Sequence, residues 1–178
     1  MIHDPVLIDR LGQLPTEVFS GEVFRATRQS LDPSAFSTRG GRWAQSGGVS
    51  VLYTSLVREG ALAEISYHWR QLTPLPTKPV MLHRLNVSTR KTMRLVRATL
   101  SSLEVDVSRF SELGYARTQE IGAAVAFLEC DGLIVPSARW DCDNLVLYGD
   151  RLPLDCDLEV VESESVDWLS WSEANLPN

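Results

Sequence analysis

Strand-like segments outnumber helix-like segments in this chain, and the two kinds do not alternate. Each strand-like segment is short, and it is either rich in β-branched and aromatic residues or alternately apolar and polar. These segments cover residues 22–28, 49–54, 80–88, 92–96, 132–137 and 144–148, with a last one from residue 158. A doubly wound parallel sheet needs regular βαβ alternation. The order found here therefore predicts an α+β fold, with a mixed β-sheet core and flanking helices.

Two longer segments have the periodicity of helices. Residues 56–72 and 118–129 each place their apolar side chains on one face at helical spacing. Ser55 and Thr118 are the expected N-caps, because a hydroxyl oxygen can accept a hydrogen bond from the first free amides of a helix. Residues 97–117 are polar and irregular, and they are expected to hold a short helix at most.

Length and composition fit one globular domain. The 178 residues are 44% hydrophobic, which is enough to bury a core, and no repeat or linker divides residues 1–178. A net charge of −6 argues against direct nucleic-acid binding, although it allows a local basic pocket for a phosphorylated small molecule. We expect Trp168 and Trp171, three residues apart near the end, to pack against the chain's own domain.

Cysteine usage predicts a reducing compartment and no metal site. The odd count of Cys130, Cys142 and Cys156 fits neither a disulfide framework nor a paired zinc motif, and the three histidines are scattered. We therefore expect free thiols in the cytoplasm. The first residues do not have the pattern of a signal peptide. The longest apolar run is interrupted by Glu129 and Asp131, so no membrane span is expected.

A loop with glycine pairs at 40–41 and 47–48 carries the first candidate site residue, Arg42. Glycines let the backbone approach a ligand, and a guanidinium there can hold a phosphate or a carboxylate through two hydrogen bonds. Tyr53 ends the next strand and could stack on a flat ring or donate its hydroxyl. The alternatives are a surface arginine on a turn and a core tyrosine.

Glu64 and Ser137 are the other two candidates. Glu64 lies at the margin of the buried face of the first long helix, where its charge would be partly desolvated. It could stabilise developing positive charge, or it could simply pair with His68 one helical turn away. Ser137 follows a buried strand and could bind a phosphate or a sugar hydroxyl, or merely cap a turn. Its surroundings lack the GxSxG pattern of a hydrolase nucleophile.

The order of these motifs resembles the RES-domain family, which is named after an arginine, a glutamate and a serine. The matching residues are Arg42 in "GGRW", Glu64 in "ALAE" and Ser137 in "VPSAR", followed by "NLVLY". Tyr53 matches the family's strand-end tyrosine, and Arg25 in "FRATR" stands at a commonly basic position. The resemblance covers residues 23–148. Residues 1–20 and the acidic tail 160–178 are expected to be an extension and a tail of the same domain.

This resemblance implies a fold like that of ADP-ribosyltransferase toxins and a role as the toxin of a bacterial toxin–antitoxin pair. It implies cleavage of the nicotinamide–ribose bond of NAD, by hydrolysis or with inorganic phosphate as co-substrate. NAD would be the substrate, no resident cofactor or metal would be needed, and an Xre-type antitoxin would form an inhibitory hetero-oligomer in the cytoplasm. Alternatives are an ADP-ribosyltransferase that modifies a cellular protein and a non-catalytic binding domain.

The resemblance also implies a set of site residues. It gives Glu64, Arg42, Tyr53 and Ser137 as catalytic residues. NAD would be bound by Arg42, Tyr53 and Ser137 together with Arg25 and Asn144.

Overall fold

Six strands form one mixed sheet in the computed structural model, which describes residues 4–177. The strands are β1 (Thr16–Thr27), β2 (Val51–Ser55), β3 (Val80–Arg94), β4 (Gly132–Pro136), β5 (Asp143–Tyr148) and β6 (Leu158–Val166). The helices are α1 (Pro5–Gly12), α2 (Arg58–Trp69), α3 (Arg97–Ser102), α4 (Ala116–Phe127) and α5 (Trp168–Asn175), with a 3₁₀ turn at Val107–Arg109. The predicted α+β class with a mixed sheet is confirmed.

The long strand β3 organises the sheet. Along one edge it pairs antiparallel with β1 from Met81 to Met93. Its other edge pairs first with β6 and then, over Thr92 to Arg94, in parallel with β4. Strand β4 continues to β5 and β2, and β2 returns to β1 through the pair Phe24–Ser55. The first five strands therefore close into a circuit, which draws the ends of β2, β4 and β5 together.

Two predicted strands at 80–88 and 92–96 are one strand in the structure. The polar stretch between them stays extended because β1 pairs with β3 on both sides of it, with a register shift between Glu17 and Phe19. For the same reason β1 begins at Thr16, six residues before the predicted start. Local polarity suggested a break, and cross-strand pairing overrode it.

Both predicted N-caps were wrong. Ser55 still belongs to β2 and helix α2 begins only at Arg58, after Val57, so Ser55 lies too far from the helix to cap it. Thr118 is the third residue of α4, where its hydroxyl donates to the carbonyl of Tyr115 rather than accepting from a helix amide. An N-cap residue directly precedes the first helical residue, whereas Ser55 stands three residues before Arg58 and Thr118 stands inside the first turn of α4.

The two ends of the described chain pack into the domain. Leu7 and Leu11 of α1 are buried against α4 in the largest hydrophobic cluster. At the other end, Trp168 meets Trp69 edge to face, with ring centroids 5.3 Å apart. The ring of Trp171 lies 5.9 Å from that of Trp140. The expectation that the tryptophan pair packs on its own domain is confirmed.

All three cysteines are free. Within residues 4–177 no helix is long and apolar enough to cross a bilayer. The same residues contain no group of three or more His, Cys, Asp or Glu side chains arranged to hold a metal ion.

Candidate active site

One cavity of about 350 Å³ collects side chains from distant parts of the chain. Five of the six predicted site residues line it: Arg25 from β1, Arg42 from the glycine loop, Tyr53 from β2, Glu64 from α2 and Asn144 from β5. The volume is at the small end of the usual range for ligand sites. The closed strand circuit explains the convergence, because α2 lies against β1 and over the adjoining ends of β2 and β5.

Glu64 is held by two hydrogen bonds to one of its oxygens. The hydroxyl of Ser137 donates to Oε1 at 3.0 Å, and the amide of Asn144 donates to the same oxygen at 3.2 Å. Neither bond uses Oε2, and no other donor in residues 4–177 reaches it by a hydrogen bond. The alternative pairing of Glu64 with His68 is not found within ion-pair distance in that range. A fixed carboxylate with one uncommitted oxygen can therefore face a bound molecule.

Ser137 lies behind Glu64 rather than on the cavity wall. It is 1% exposed and is absent from the residues that line the cavity. While donating to Glu64, its oxygen accepts from the backbone amides of Arg139 and Trp140 at 3.1 and 3.3 Å. Its bonds are thus directed to the protein, which favours a positioning role over the expected contact with a phosphate or a sugar.

Asn144 links the sheet to α2. It is the second residue of β5, pairs across the sheet with Ser55 and donates its amide to Glu64. Its side-chain oxygen is buried and has no hydrogen-bond partner among residues 4–177. An unpaired buried acceptor costs roughly 1–3 kcal/mol. A donor on a bound ligand would recover this free energy by hydrogen-bonding to the oxygen after a small rearrangement.

Tyr53 is fixed by the glycine loop. Its hydroxyl oxygen accepts from the backbone amide of Trp43 at 3.0 Å, and a Cβ at Gly41 would lie 2.8 Å from that oxygen. Glycine at 41 therefore lets the loop close over the ring. Burial raises the pKa of Tyr53 to about 12, so the phenol keeps its proton at neutral pH and can donate it.

Helix α4 supports the same loop from the other side. A Cβ at Gly122 would lie 1.9 Å from the carbonyl oxygen of Trp43, so only glycine allows this close packing. Trp43 is 3% exposed, and the amide of Gln119 donates to the carbonyl of Gly41 at 2.9 Å. The first part of the glycine loop, residues 40–44, is therefore partly buried and hydrogen-bonded, and it is not a free surface turn.

The guanidinium of Arg42 is held by aromatic rings. Its central carbon lies 4.6 Å from the ring centres of both Phe110 and Tyr115, and one N–H donates to the carbonyl of Glu112 at 3.2 Å. Desolvation by burial, opposed mainly by Tyr115, lowers its pKa, yet arginine stays charged at neutral pH. The surface-turn alternative for Arg42 does not fit this environment.

Arg25 approaches the cavity from a different direction. It lies within β1 opposite His83 of β3, and its pKa is lowered by desolvation, with Asp32 acting in the opposite sense. Within residues 4–177, neither Arg25 nor Arg42 has a carboxylate oxygen within 4.0 Å. Glu64 and Asp32 act on these arginines only from beyond ion-pair distance, so neither positive charge is directly neutralised, on a chain that is acidic overall.

Sequence reasoning missed three residues of the cavity wall, namely Arg139, His68 and Tyr115. Arg139 stands two residues after Ser137, inside a motif that was considered only for its serine. His68 was considered only as a partner of Glu64. Tyr115 belongs to the polar stretch before α4, and its position beside Arg42 comes from tertiary packing that no local pattern indicates.

Comparisons with known proteins identify the family and the fold of this chain. The profile of the RES domain family matches residues 22–169, most of the chain. Among solved structures, a chain of the crystal structure of the M. tuberculosis MbcT–MbcA toxin–antitoxin complex has the same fold, with a TM-score of 0.81 at 19% identity. That match covers 96% of this chain and 97% of the other. No curated protein gives a sequence match.

Proposed function

This chain belongs to the RES-domain family, and from that membership we propose that it is the NAD-consuming toxin of a bacterial toxin–antitoxin pair. The proposed reaction breaks the bond between nicotinamide and ribose. The fold likeness to a chain from a toxin–antitoxin complex supports the toxin part of the proposal. The enzymatic part rests on the cavity.

The observation that carries the proposal is a carboxylate held in a cavity with several arginines that lack carboxylate partners. NAD combines a diphosphate, which needs cationic donors, with a ribose that becomes positively charged as nicotinamide leaves. Glu64 supplies the negative charge and Arg42 and Arg25 supply the positive charge. The arginines of this cavity thus match the diphosphate of NAD, and the carboxylate matches the ribose that becomes positively charged.

In the proposed reaction the carbon–nitrogen bond breaks, and its electron pair leaves with neutral nicotinamide. The ribose then carries oxocarbenium-like charge, which the Glu64 carboxylate stabilises directly or through a ribose hydroxyl. Oxygen from water or from inorganic phosphate attaches to the same carbon, and a proton passes to solvent. Both bonds to Oε1 of Glu64 come from the protein, so Oε2 is the oxygen assigned to the substrate.

The other residues have separate roles in this proposal. Tyr53 packs beside the nicotinamide, with its hydroxyl anchored on the loop amide of Trp43. Arg42 and Arg25 bind phosphate groups. Ser137 acts through Glu64, because its hydroxyl is engaged with that carboxylate and with backbone amides. Asn144 fixes Glu64 and presents a buried oxygen that lacks a partner.

An enzyme that drains NAD must be held inactive in its own cell. We propose an Xre-type antitoxin that covers the cavity and places an acidic side chain or its C-terminus near Arg42. A local positive field on an acidic protein attracts a partner carboxylate for the same reason that it attracts NAD phosphates. The complex should be inactive, and the free chain should arrest growth.

The test is incubation of the purified chain with NAD, with and without inorganic phosphate, beside the Glu64→Gln variant. Free nicotinamide from the wild type alone supports the proposal, and a phosphorylated ADP-ribose product identifies phosphate as the nucleophile. ADP-ribose that appears only on an added acceptor protein would instead establish a transferase. Absence of nicotinamide release under all conditions, with no growth arrest on expression, would refute the NAD-consuming toxin.

A further inference from the structure

Arg139 is a second arginine at the same end of the cavity as Arg42. It follows β4, lines the cavity and stacks on Tyr67, with its central carbon 3.3 Å from the ring centre. One N–H donates to the carbonyl of Ser111 at 2.6 Å, whereas Arg42 donates to the carbonyl of Glu112, the next residue. The Cα atoms of consecutive residues are about 3.8 Å apart, so both guanidinium groups are anchored on the same short segment beside the cavity.

The charge of Arg139 also reaches Arg42. It is one of the groups that lower the pKa of Arg42, after the larger effect of burial. Two like charges brought together are unfavourable without an anion between or beside them. Within residues 4–177, Arg139 has no carboxylate oxygen within ion-pair distance, and neither has Arg42.

Arg42 and Arg139 are held differently from the arginines of the chain that pair with carboxylates. Arg84 and Arg94 direct their N–H edges to carboxylates, Arg84 to Glu22 and Glu162 and Arg94 to Glu17 and Asp143. Such arginines have few donors left.

Arg42 and Arg139 instead rest their flat faces on aromatic rings and use one N–H each for a backbone carbonyl. A guanidinium has five N–H donors along its edges, so most of them remain available at each residue.

We propose that Arg42 and Arg139 form a two-arm clamp for the diphosphate of a nucleotide, with Tyr67 as the platform that orients Arg139. This deepens the proposed function, on which it rests, by assigning recognition of the linked phosphates to a residue outside the predicted set. The clamp distinguishes nucleoside diphosphates and dinucleotides from monophosphates, because a single phosphate can engage only one arm fully.

The test measures affinity for ADP and for AMP by calorimetry, on the wild type and on Arg139→Gln. The clamp predicts that the wild type prefers ADP and that the variant loses roughly tenfold or more in ADP affinity, with little change for AMP. Arg151→Gln is the matched control, since Arg151 also donates to one backbone carbonyl but lies outside the cavity wall. Tyr67→Phe keeps the platform and should bind ADP normally, whereas Tyr67→Leu should bind it more weakly.

Thermal unfolding of each variant distinguishes a loss of ADP binding from a loss of stability caused by the missing hydrogen bond to Ser111. An Arg139→Gln protein that is less stable but keeps the preference for ADP would overturn the clamp. So would a wild type that binds ADP and AMP equally or not at all. A wild type that prefers ADP through Arg139 yet releases no nicotinamide from NAD would leave the clamp standing and remove the proposed function.

Discussion

The hydroxyl of Ser137 donates to the carboxylate of Glu64 at 3.0 Å, across 73 residues of sequence. The same serine oxygen accepts hydrogen bonds from two backbone amides, so the hydroxyl proton is directed at Glu64. This bond connects the end of β4 to the middle of α2, and it fixes the rotamer of the only carboxylate among the cavity-lining residues. The serine and the glutamate of the family pattern thus act as one unit.

Replacement of Glu64 by Gln should reduce NAD cleavage by about 100-fold or more and leave the fold intact. The substitution keeps the shape of the side chain and removes the charge that, in the proposed reaction, stabilises the transition state. Nicotinamide release at saturating NAD is the measurement. Glu59→Gln is the control, because Glu59 stands on the same helix with its side chain 43% exposed. Near-normal turnover by a folded Glu64→Gln protein would assign the chemistry elsewhere.

Replacement of Ser137 by Ala should lower kcat by roughly tenfold while the KM for NAD changes little. The loss of one donor loosens Glu64, and the loss of the acceptor leaves the amides of Arg139 and Trp140 unpaired, at a cost of roughly 1–3 kcal/mol in stability. Ser66→Ala is the matched control, since the Ser66 hydroxyl is equally buried but has no hydrogen-bond partner. A large rise in KM for Ser137→Ala would point to direct substrate contact instead.

Replacement of Arg42 by Ala should weaken NAD binding more than replacement of Arg25 by Ala. Arg42 is oriented by two rings on a rigid loop, whereas Arg25 stands within β1, where attraction to Asp32 already acts on it. Removal of a charge-assisted hydrogen bond costs roughly 1.5–3 kcal/mol. Calorimetric titration with NAD compares the two variants. Equal affinities for wild type and Arg42→Ala would show that the wrong arginine was chosen.

Local pattern was sufficient for most of the strands and for both long helices, but not for helix α1 or for the continuity of β3. The β-branched and aromatic residues of β2 and the helical periodicity of α2 placed Tyr53 and Glu64 on the right elements, because local residue type and spacing distinguish strands from helices. The α+β class followed from the order of the elements. The order of the motifs along the sequence assigned Arg25, Arg42 and Asn144 to the site, and all three line the cavity.

What local pattern missed depends on distant contacts. The joining of two predicted strands into β3 depends on pairing with β1. The position of Ser137 behind Glu64 depends on the crossing of α2 over the ends of β4 and β5. Arg139 is recognisable only once Tyr67 and the carbonyl of Ser111 are in place around it. Contacts of this kind join residues that are far apart in the chain at no regular interval, so a single sequence does not reveal them.

The last prediction concerns His83, which joins three strands. It is 6% exposed and hydrogen-bonds through Nε2 to the Thr27 hydroxyl on β1 at 2.9 Å and through Nδ1 to the Ser163 hydroxyl on β6 at 2.7 Å. Desolvation lowers its pKa, Arg25 adds to this, and Asp32 opposes it. The folded protein therefore binds a proton on His83 less readily than the unfolded chain does.

Stability should fall as the pH is lowered through the ordinary histidine pKa of about 6.5. As the pH falls through this value, the unfolded state binds more protons than the folded state. The free energy of unfolding therefore increases with rising pH and decreases as the solution becomes acidic. Urea unfolding between pH 5.5 and 8 should show this slope in the wild type and a smaller slope in His83→Gln. His68→Gln measures how much the cavity histidine contributes to this slope, because burial also lowers the pKa of His68. An unchanged slope in His83→Gln would mean that the histidine bridge between the strands does not control acid sensitivity.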